Sequence, residues 1–369
     1  MKPDDDSSHI PIHRPTLGRE EMEALTRCLE TGRFTGNEPI REFEEAFGAA
    51  IGAPRAIAVA NGTVALHLAM LACNIGPGDE VIVPTLTFVA SANAVAYTGA
   101  KPVLADVDPV TWQMTAEQTA RHITSRTRAI LAVHLYGHAC DSAGLRKLAD
   151  AHGLMLIEDC AEALGTSVGG RHVGLDADVA TFSFYKNKTI TTGEGGMVVT
   201  RYADWHDRMV LLKGQGVPLN RRHWHEVLGF NYRMVNLSAA LGIAQLARLD
   251  SILAKKRRLA DRYRLGLQSL PITLQPEMAG SQSAWWLIAA TLATPAARDG
   301  LSTYLESRGI ETRLVFLPLQ RFPMYRSEAP STPNADHISA CGLCLPSWPD
   351  IHDDQVDRIV RETTRYLDR

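Results

Sequence analysis

The chain has 369 residues, 45% of them hydrophobic, and carries 38 Lys and Arg against 41 Asp and Glu, for a formal net charge of −3. That length and apolar content exceed what one ordinary domain needs, so two domains, or one large α/β unit with an appendage, are expected. Both signs of charge are spread along the chain, which excludes the basic footprint of a nucleic-acid binder.

The opening residues MKPDDDSS are acidic and polar; they read as a frayed terminus and show no targeting signal. The most apolar stretch, residues 81–100, is broken by Pro84, Thr85, Thr87, Ser91 and Asn93, so it reads as strand, turn and buried helix and not as a membrane span. Among six cysteines only Cys341 and Cys344 form a C-x-x-C pair, and no second donor pair lies near them in sequence, so no metal is expected. Free thiols in a reducing cytoplasm are the simpler reading.

From about residue 55, short β-type runs alternate with helical patterns. AIAVA (56–60) reads as a strand and Gly62 to Ala72 as a helix; EVIVP (80–84) precedes a helix near Val89 to Tyr97. PVLADV (102–107), AILAVH (129–134) and LMLIED (154–159) are further strands, separated by helices from Ala116 and from Ser142. This alternation predicts a mostly parallel sheet covered on both faces, with ligands beyond the carboxyl ends of its strands. GMVVT (196–200) adds a strand, and one long helical stretch runs from about Leu237 to Leu267. AWWLIAATL (284–292), a helix after Asp299, an extended ETRLVFLPL (311–319) and a helix from Asp353 follow. The expected class is α/β, a large mostly parallel-sheet domain over residues 1–250 and a smaller C-terminal α+β domain over 251–369.

Three features at strand ends can carry chemistry. Asp159 closes an apolar run, where a carboxylate costs desolvation unless a cation or donor meets it. It reads equally as a helix cap or salt bridge and as a buried anion that keeps a partner protonated. Asn61-Gly62-Thr63 lies between strand and helix, and backbone N–H groups at a helix start suit a phosphate; the same triplet is also ordinary turn and cap chemistry. TTGEGG (191–196) lacks the G-K-[ST] ending of a nucleotide P-loop. Finally, FSFYKNK (182–188) places Lys186 and Lys188 beside aromatic residues, where partial desolvation can free an amine for attack on an aldehyde. Spacing does not choose between the two lysines. A phosphate-type turn, a strand-end acid and a lysine in one α/β domain are together the parts a pyridoxal phosphate enzyme requires.

The series NGTVALHLA, GDEVIVPTLTFVASANAV, GAKPVLADVD, IEDCAEALGT, FSFYKNKTITTGEGGMV and GFNYRM, in this order, resembles the DegT/DnrJ/EryC1/StrS family of sugar aminotransferases, from IPIHRP at residue 10 to LPSWPD at residue 345. The resemblance implies the pyridoxal-phosphate-dependent aminotransferase fold of type I. It assigns the cofactor-bearing role to Lys188, which follows an asparagine and precedes TITTGEGG, and leaves Lys186 at a variable position. It further implies Asp159 at the pyridine nitrogen, Phe88 stacked on the ring, Glu162 near the ring hydroxyl, and Gly62, Thr63 and Ser183 around the phosphate. Asn231 would reach the phosphate from a neighbouring subunit, so a homodimer with shared active sites is implied. A relative with histidine in place of the lysine performs a deoxygenation; lysine here implies transamination in two half-reactions, L-glutamate (leaving as 2-oxoglutarate) first and a nucleotide-linked ketosugar second.

Residues 214–234 and 311–325 are similar to members that aminate C4 of GDP-4-keto-6-deoxymannose. There Arg221, Arg222, His223, Trp224 and His225, with Arg313, offer cations and aromatic surface suited to a nucleotide diphosphate, although charged loops are usually solvated. The chain departs from that pattern at GRFTGNEP (32–39) and at Val217-Pro218. A 3-keto-6-deoxyhexose nucleotide or a keto-cyclitol of antibiotic biosynthesis is the alternative acceptor, and a cofactor-binding protein without turnover is the reading outside enzymes.

Overall fold

The computed structural model describes residues 9–32, 34–36, 38–218, 220–221, 223–326 and 331–368. The expected frayed terminus 1–8 and Arg222 lie outside the described residues. The main sheet has seven strands, in the spatial order Ala56–Val59, Gly196–Thr200, Val179–Ser183, Met155–Asp159, Thr127–Val133, Glu80–Pro84, Lys101–Ala105. Only Gly196–Thr200 runs antiparallel to its neighbours. The mostly parallel α/β sheet expected from the alternation is therefore present.

Alternation along each strand sends side chains to opposite faces. Ala56 and Ala58 join a core with Phe43, Phe47, Phe184 and Met234, while Ile57 and Val59 join another with Leu66, Leu68, Val95 and Met209. The first core is built by helices Glu38–Ile51 and Asn236–Leu246, and helix Arg19–Glu30 packs on the latter; the strand–helix alternation starts beyond Arg19–Glu30 and Glu38–Ile51 and so did not reveal them. The second is built by Gly62–Ala72, Ala90–Tyr97 and Ala203–Lys213. Burial on both faces explains why these strands read as near-continuous apolar runs.

A second, antiparallel sheet has the order Ile272–Leu274, Ile288–Leu292, Gly342–Leu345, Arg313–Leu314. Helices Pro295–Ser307, Pro333–Cys341 and Asp353–Leu367 pack with it. A small core of Leu86, Trp112, Leu135 and Tyr136 from the large sheet's loops with Trp286, Leu287 and Val315 ties the two sheets together.

Three expectations are corrected. The helical stretch 237–267 is two helices, Asn236–Leu246 and Leu249–Leu267, bent by 61°. No proline or glycine marks the break; the two halves bury against different partners. Gly242 packs where a Cβ would meet the Phe43 ring at 2.6 Å, whereas Leu259 and Tyr263 join the core of the second sheet. At the break, Arg248 and Gln245 both reach the buried Glu21, at 2.9 Å and 2.7 Å. The strand expected at 284–292 begins only at Ile288, after Trp285 at φ 51°. The following helix starts at Pro295, ahead of Asp299, because Thr294 caps it by accepting from the Ala297 N–H. Among the described residues no single helix is long and apolar enough to cross a membrane.

Candidate active site

A cavity of about 550 Å³ opens beyond the strand ends of the large sheet, within the usual range for small-molecule sites. Its first wall is a helix start. Asn61 caps Gly62–Ala72 by accepting from the Val64 N–H at 3.0 Å, so the amides of Gly62 and Thr63, in the first turn, have no partner within the helix. Glycine at 62 is a packing requirement, because a Cβ there would stand 2.8 Å from the Cβ of Ser183. The helix start and the end of Val179–Ser183 consequently converge, with the Ser183 hydroxyl beside the free amides.

The second wall is charged. Asp159 ends its strand 5% exposed; its Oδ2 accepts from the Ser91 hydroxyl at 2.9 Å and its Oδ1 from the Ala161 N–H at 3.0 Å. Glu162 accepts from the Tyr136 N–H at 2.8 Å and lies 3.5 Å from Lys188 Nζ. Burial pushes the carboxyls of both Asp159 and Glu162 up, against the pull of these donors and of Lys188. Burial pushes the Lys188 amine down, and Glu162 and Asp159 oppose it. Burial thus works against the charged form of each of the three groups, and their mutual attraction works for it.

The third wall comes from the second sheet's strand Arg313–Leu314, the segments that flank its strands, and a loop of the large sheet. Lys188 Nζ sits 3.9 Å from the centroid of the Trp286 ring, and the Trp286 indole N–H donates to the Asn187 carbonyl at 2.6 Å. Tyr136 stacks between Trp286 (6.1 Å, 9°) and Phe316 (5.4 Å, 10°), and its hydroxyl accepts from the Phe316 N–H. Arg313 lines the same space, 5.2 Å from the Phe316 ring and 6.0 Å from that of Trp286. Phe88, half exposed, faces the cavity and lies 5.9 Å from Phe316. Behind Asp159, His134 faces Glu158 at 3.2 Å, both fully buried. His134 Nδ1 accepts from the Cys140 N–H, which leaves the ring proton on Nε2 toward Glu158. These two and Cys160 place metal-ligating atoms within 4.8 Å of one another, a grouping with no C-x-x-C-type spacing in the chain.

The fold therefore brings Gly62, Thr63, Phe88, Asp159, Glu162, Ser183, Lys188 and Arg313 to one cavity. Lys186 is exposed and stays outside, 5.9 Å from the Tyr185 ring. Arg221, His223, Trp224 and His225 do not line the cavity: they occupy an exposed loop where Arg221 stacks on Trp224 at 3.9 Å and His225 contacts the Gln215 carbonyl at 2.8 Å. Asn231 is also exposed and outside, its backbone bridged to Gly214 and its side chain accepting from Arg233. Trp286, Phe316 and Tyr136 were not singled out from the sequence. Their aromatic character was visible, but they come from segments up to 180 residues apart, and local pattern carries no sign of that meeting.

The model of the DegT/DnrJ/EryC1/StrS aminotransferase family matches residues 15–364. The chain is 46% identical to GDP-perosamine synthase of Vibrio cholerae, over 97% of this chain and 99% of that protein. It is 44% identical to GDP-perosamine synthase of Escherichia coli O157:H7, over 97% and 98%. The aminotransferase TlmJ from Streptoalloteichus hindustanus superposes with a TM-score of 0.94 at 30% identity, covering 98% of this chain and 99% of that one.

Proposed function

The chain belongs to the DegT/DnrJ/EryC1/StrS aminotransferase family, and from that premise we propose that it transfers an amino group from L-glutamate to C4 of GDP-4-keto-6-deoxymannose, giving GDP-perosamine. It is a pyridoxal-phosphate-dependent transaminase. The acceptor rests on one observation above the others: two enzymes named for this product align with it at 46% and 44% identity over nearly their whole length.

The cavity residues fit the cofactor. The Gly62 and Thr63 amides and the Ser183 hydroxyl, converging where a Cβ would collide, would hold its phosphate. Asp159, a buried carboxylate in no salt bridge among the described residues, would accept the N–H of a protonated ring nitrogen and be held charged by it. Phe88, half exposed, would cover one face of the ring, and Glu162 would stand near the ring hydroxyl. When bound, pyridoxal phosphate supplies an aldehyde that takes up the amine and a ring that accepts the electron pair released at the substrate carbon. Lys188 Nζ would anchor it and, once released, take the proton from the carbon that loses nitrogen and return one in the second half-reaction. Burial supports that role by lowering the amine toward neutrality.

We take the functional unit to be a homodimer. Asn231 lies outside its own chain's cavity, on a segment that also exposes Trp224 and, at 89%, Leu228. A second copy covering that segment would bring Asn231 to the neighbouring phosphate site. The chain is read as two domains meeting near residue 250, at the start of the helix Leu249–Leu267.

The test is an absorbance spectrum of the enzyme with pyridoxal phosphate. Glutamate should bleach the band of the lysine-bound cofactor, and GDP-4-keto-6-deoxymannose should restore it. Bleaching without restoration by this sugar would remove the proposed acceptor and leave the transaminase.

A further inference from the structure

Trp286 meets the segment of Lys188 at two points. Its ring centroid lies 3.9 Å from Lys188 Nζ, and its indole N–H donates at 2.6 Å to the carbonyl of Asn187, the residue just before the lysine. The ring is itself fixed. Trp286 is 3% exposed, Tyr136 stacks on it at 6.1 Å and 9°, and Lys256 Nζ donates to its carbonyl at 3.1 Å. An apolar wall asks only for bulk; a fixed indole adds a face of negative potential directed at one amine.

The charged groups around that amine decide how much the face matters. Glu162 stands at 3.5 Å, and Asp159, Glu194 and Arg313 line the same cavity. A second, small cleft shares Asn187, Lys188 and Trp286 with it and adds His13 and Lys256. Burial works against the charge of Lys188, Glu162 and Asp159 work for it, and Arg313 works against it. Under the proposed function Asp159 and Glu162 would be committed to the ring nitrogen and the ring hydroxyl of the cofactor. When Lys188 has been released and has taken up a proton, the Trp286 face is the attraction that the cofactor leaves in place.

We propose that Trp286 is a positioning residue for Lys188: its face seats the released ammonium between proton removal and proton return, and its indole N–H pins the backbone that carries the lysine. This rests on the proposed transamination. Nζ gains the proton and later gives it up, and no bond to Trp286 forms or breaks.

The experiment uses enzyme loaded with pyridoxamine phosphate, in which Lys188 has a free amine, as wild type, Trp286→Phe and Trp286→Leu, with circular dichroism and cofactor loading checked for each. Competitive labelling by acetic anhydride across a pH series, read by mass spectrometry on the Lys188 peptide, gives the pH at which the amine loses its proton. The Lys188 side chain is 13% exposed, so a small reagent can reach it. Loss of the face in Trp286→Leu should lower that midpoint by about one pH unit, a roughly 10-fold loss of proton affinity. Trp286→Phe keeps a weaker face and should fall between. A void that merely admitted water would solvate the ammonium and move the midpoint up. Bleaching by saturating glutamate should follow the same order, slowed on the order of 10-fold in Trp286→Leu with KM little changed. A midpoint unchanged or raised in Trp286→Leu overturns the assignment, as does a penalty that appears in KM alone. If Trp286→Leu does not fold or load, Trp286→Phe against wild type carries the test, and an unchanged midpoint there overturns it. Failure of wild type itself to bleach with glutamate overturns the function beneath, whatever the labelling shows, so the two failures are distinguishable.

Discussion

Two lysines pack against the same tryptophan, and only one has the surroundings for chemistry. Lys188 lies on the ring face of Trp286, opens to the 550 Å³ cavity and faces Glu162 at 3.5 Å, with Asp159 beyond. Lys256, on the helix Leu249–Leu267, donates to the Trp286 carbonyl at 3.1 Å, to the Ser347 carbonyl at 3.2 Å and to the Ser347 hydroxyl. Burial lowers both amines; for Lys256 it is the sole cause and takes the value to about 7, whereas at Lys188 two carboxylates pull the other way. A depressed amine alone is therefore not the mark of a reactive one. What separates the pair is open space on one side and acids able to exchange a proton on the other.

Replacing Lys188 with alanine is expected to have the largest effect, at least about 10⁴-fold in turnover, with no covalently attached cofactor by mass spectrometry. Retention of activity in that variant would erase the contrast with Lys256. Asp159→Asn should reduce both half-reactions by roughly 100-fold, the worth of one lost charged contact of about 2–3 kcal/mol, while cofactor still attaches. Full activity in this variant would show that the acid at the strand end is structural.

Lys256 is tested through pH. An unfolded lysine takes up its proton near 10.5, whereas the folded one waits until about 7. Its contribution to stability is therefore present above the unfolded value and lost as pH falls through that window, levelling out below about 7. Lys256→Met should remove this slope, at most about 1.4 kcal/mol per pH unit, in urea titrations of the cofactor-free protein at pH 7 and pH 9. Identical slopes in wild type and variant would mean that the amine is charged inside the fold, which would narrow the contrast to space alone.

Gly62→Ala sharpens the comparison from the ligand side. The added Cβ must displace Ser183, at a cost of about 1–3 kcal/mol, and should weaken pyridoxal phosphate binding in a fluorescence titration. Unchanged affinity would separate the helix start from the phosphate. Lys186→Ala should be the mildest change, within about 0.5 kcal/mol in stability, and a large loss of turnover there would reopen the choice of lysine.

Much of the large sheet was legible because its strands are short apolar runs punctuated by turns, and each predicted strand through Asp159 lies within two or three residues of its place. Asp159 and the Asn-Gly-Thr helix start were visible for the same local reason: an acid ending an apolar run and a cap before a helix are each written within a few residues. The bend at 247–248 was not legible, since it answers to Phe43 on one side and to the second sheet on the other. Nor could a local reading find that Arg221, Trp224 and His225, with their suitable chemistry, stand on an exposed loop outside the cavity.

The α/β layering and the chemical types at the strand ends are written locally, because side-chain periodicity and capping act over two to four residues. Choosing between Lys186 and Lys188 needed either resemblance to a family or the fold. Long-range packing sets Trp286, Arg313 and Phe316 along the cavity beside the second sheet and Lys188 between a ring face and two acids. Burial and charge coupling depend on which groups meet in space, and chain order does not encode that meeting locally.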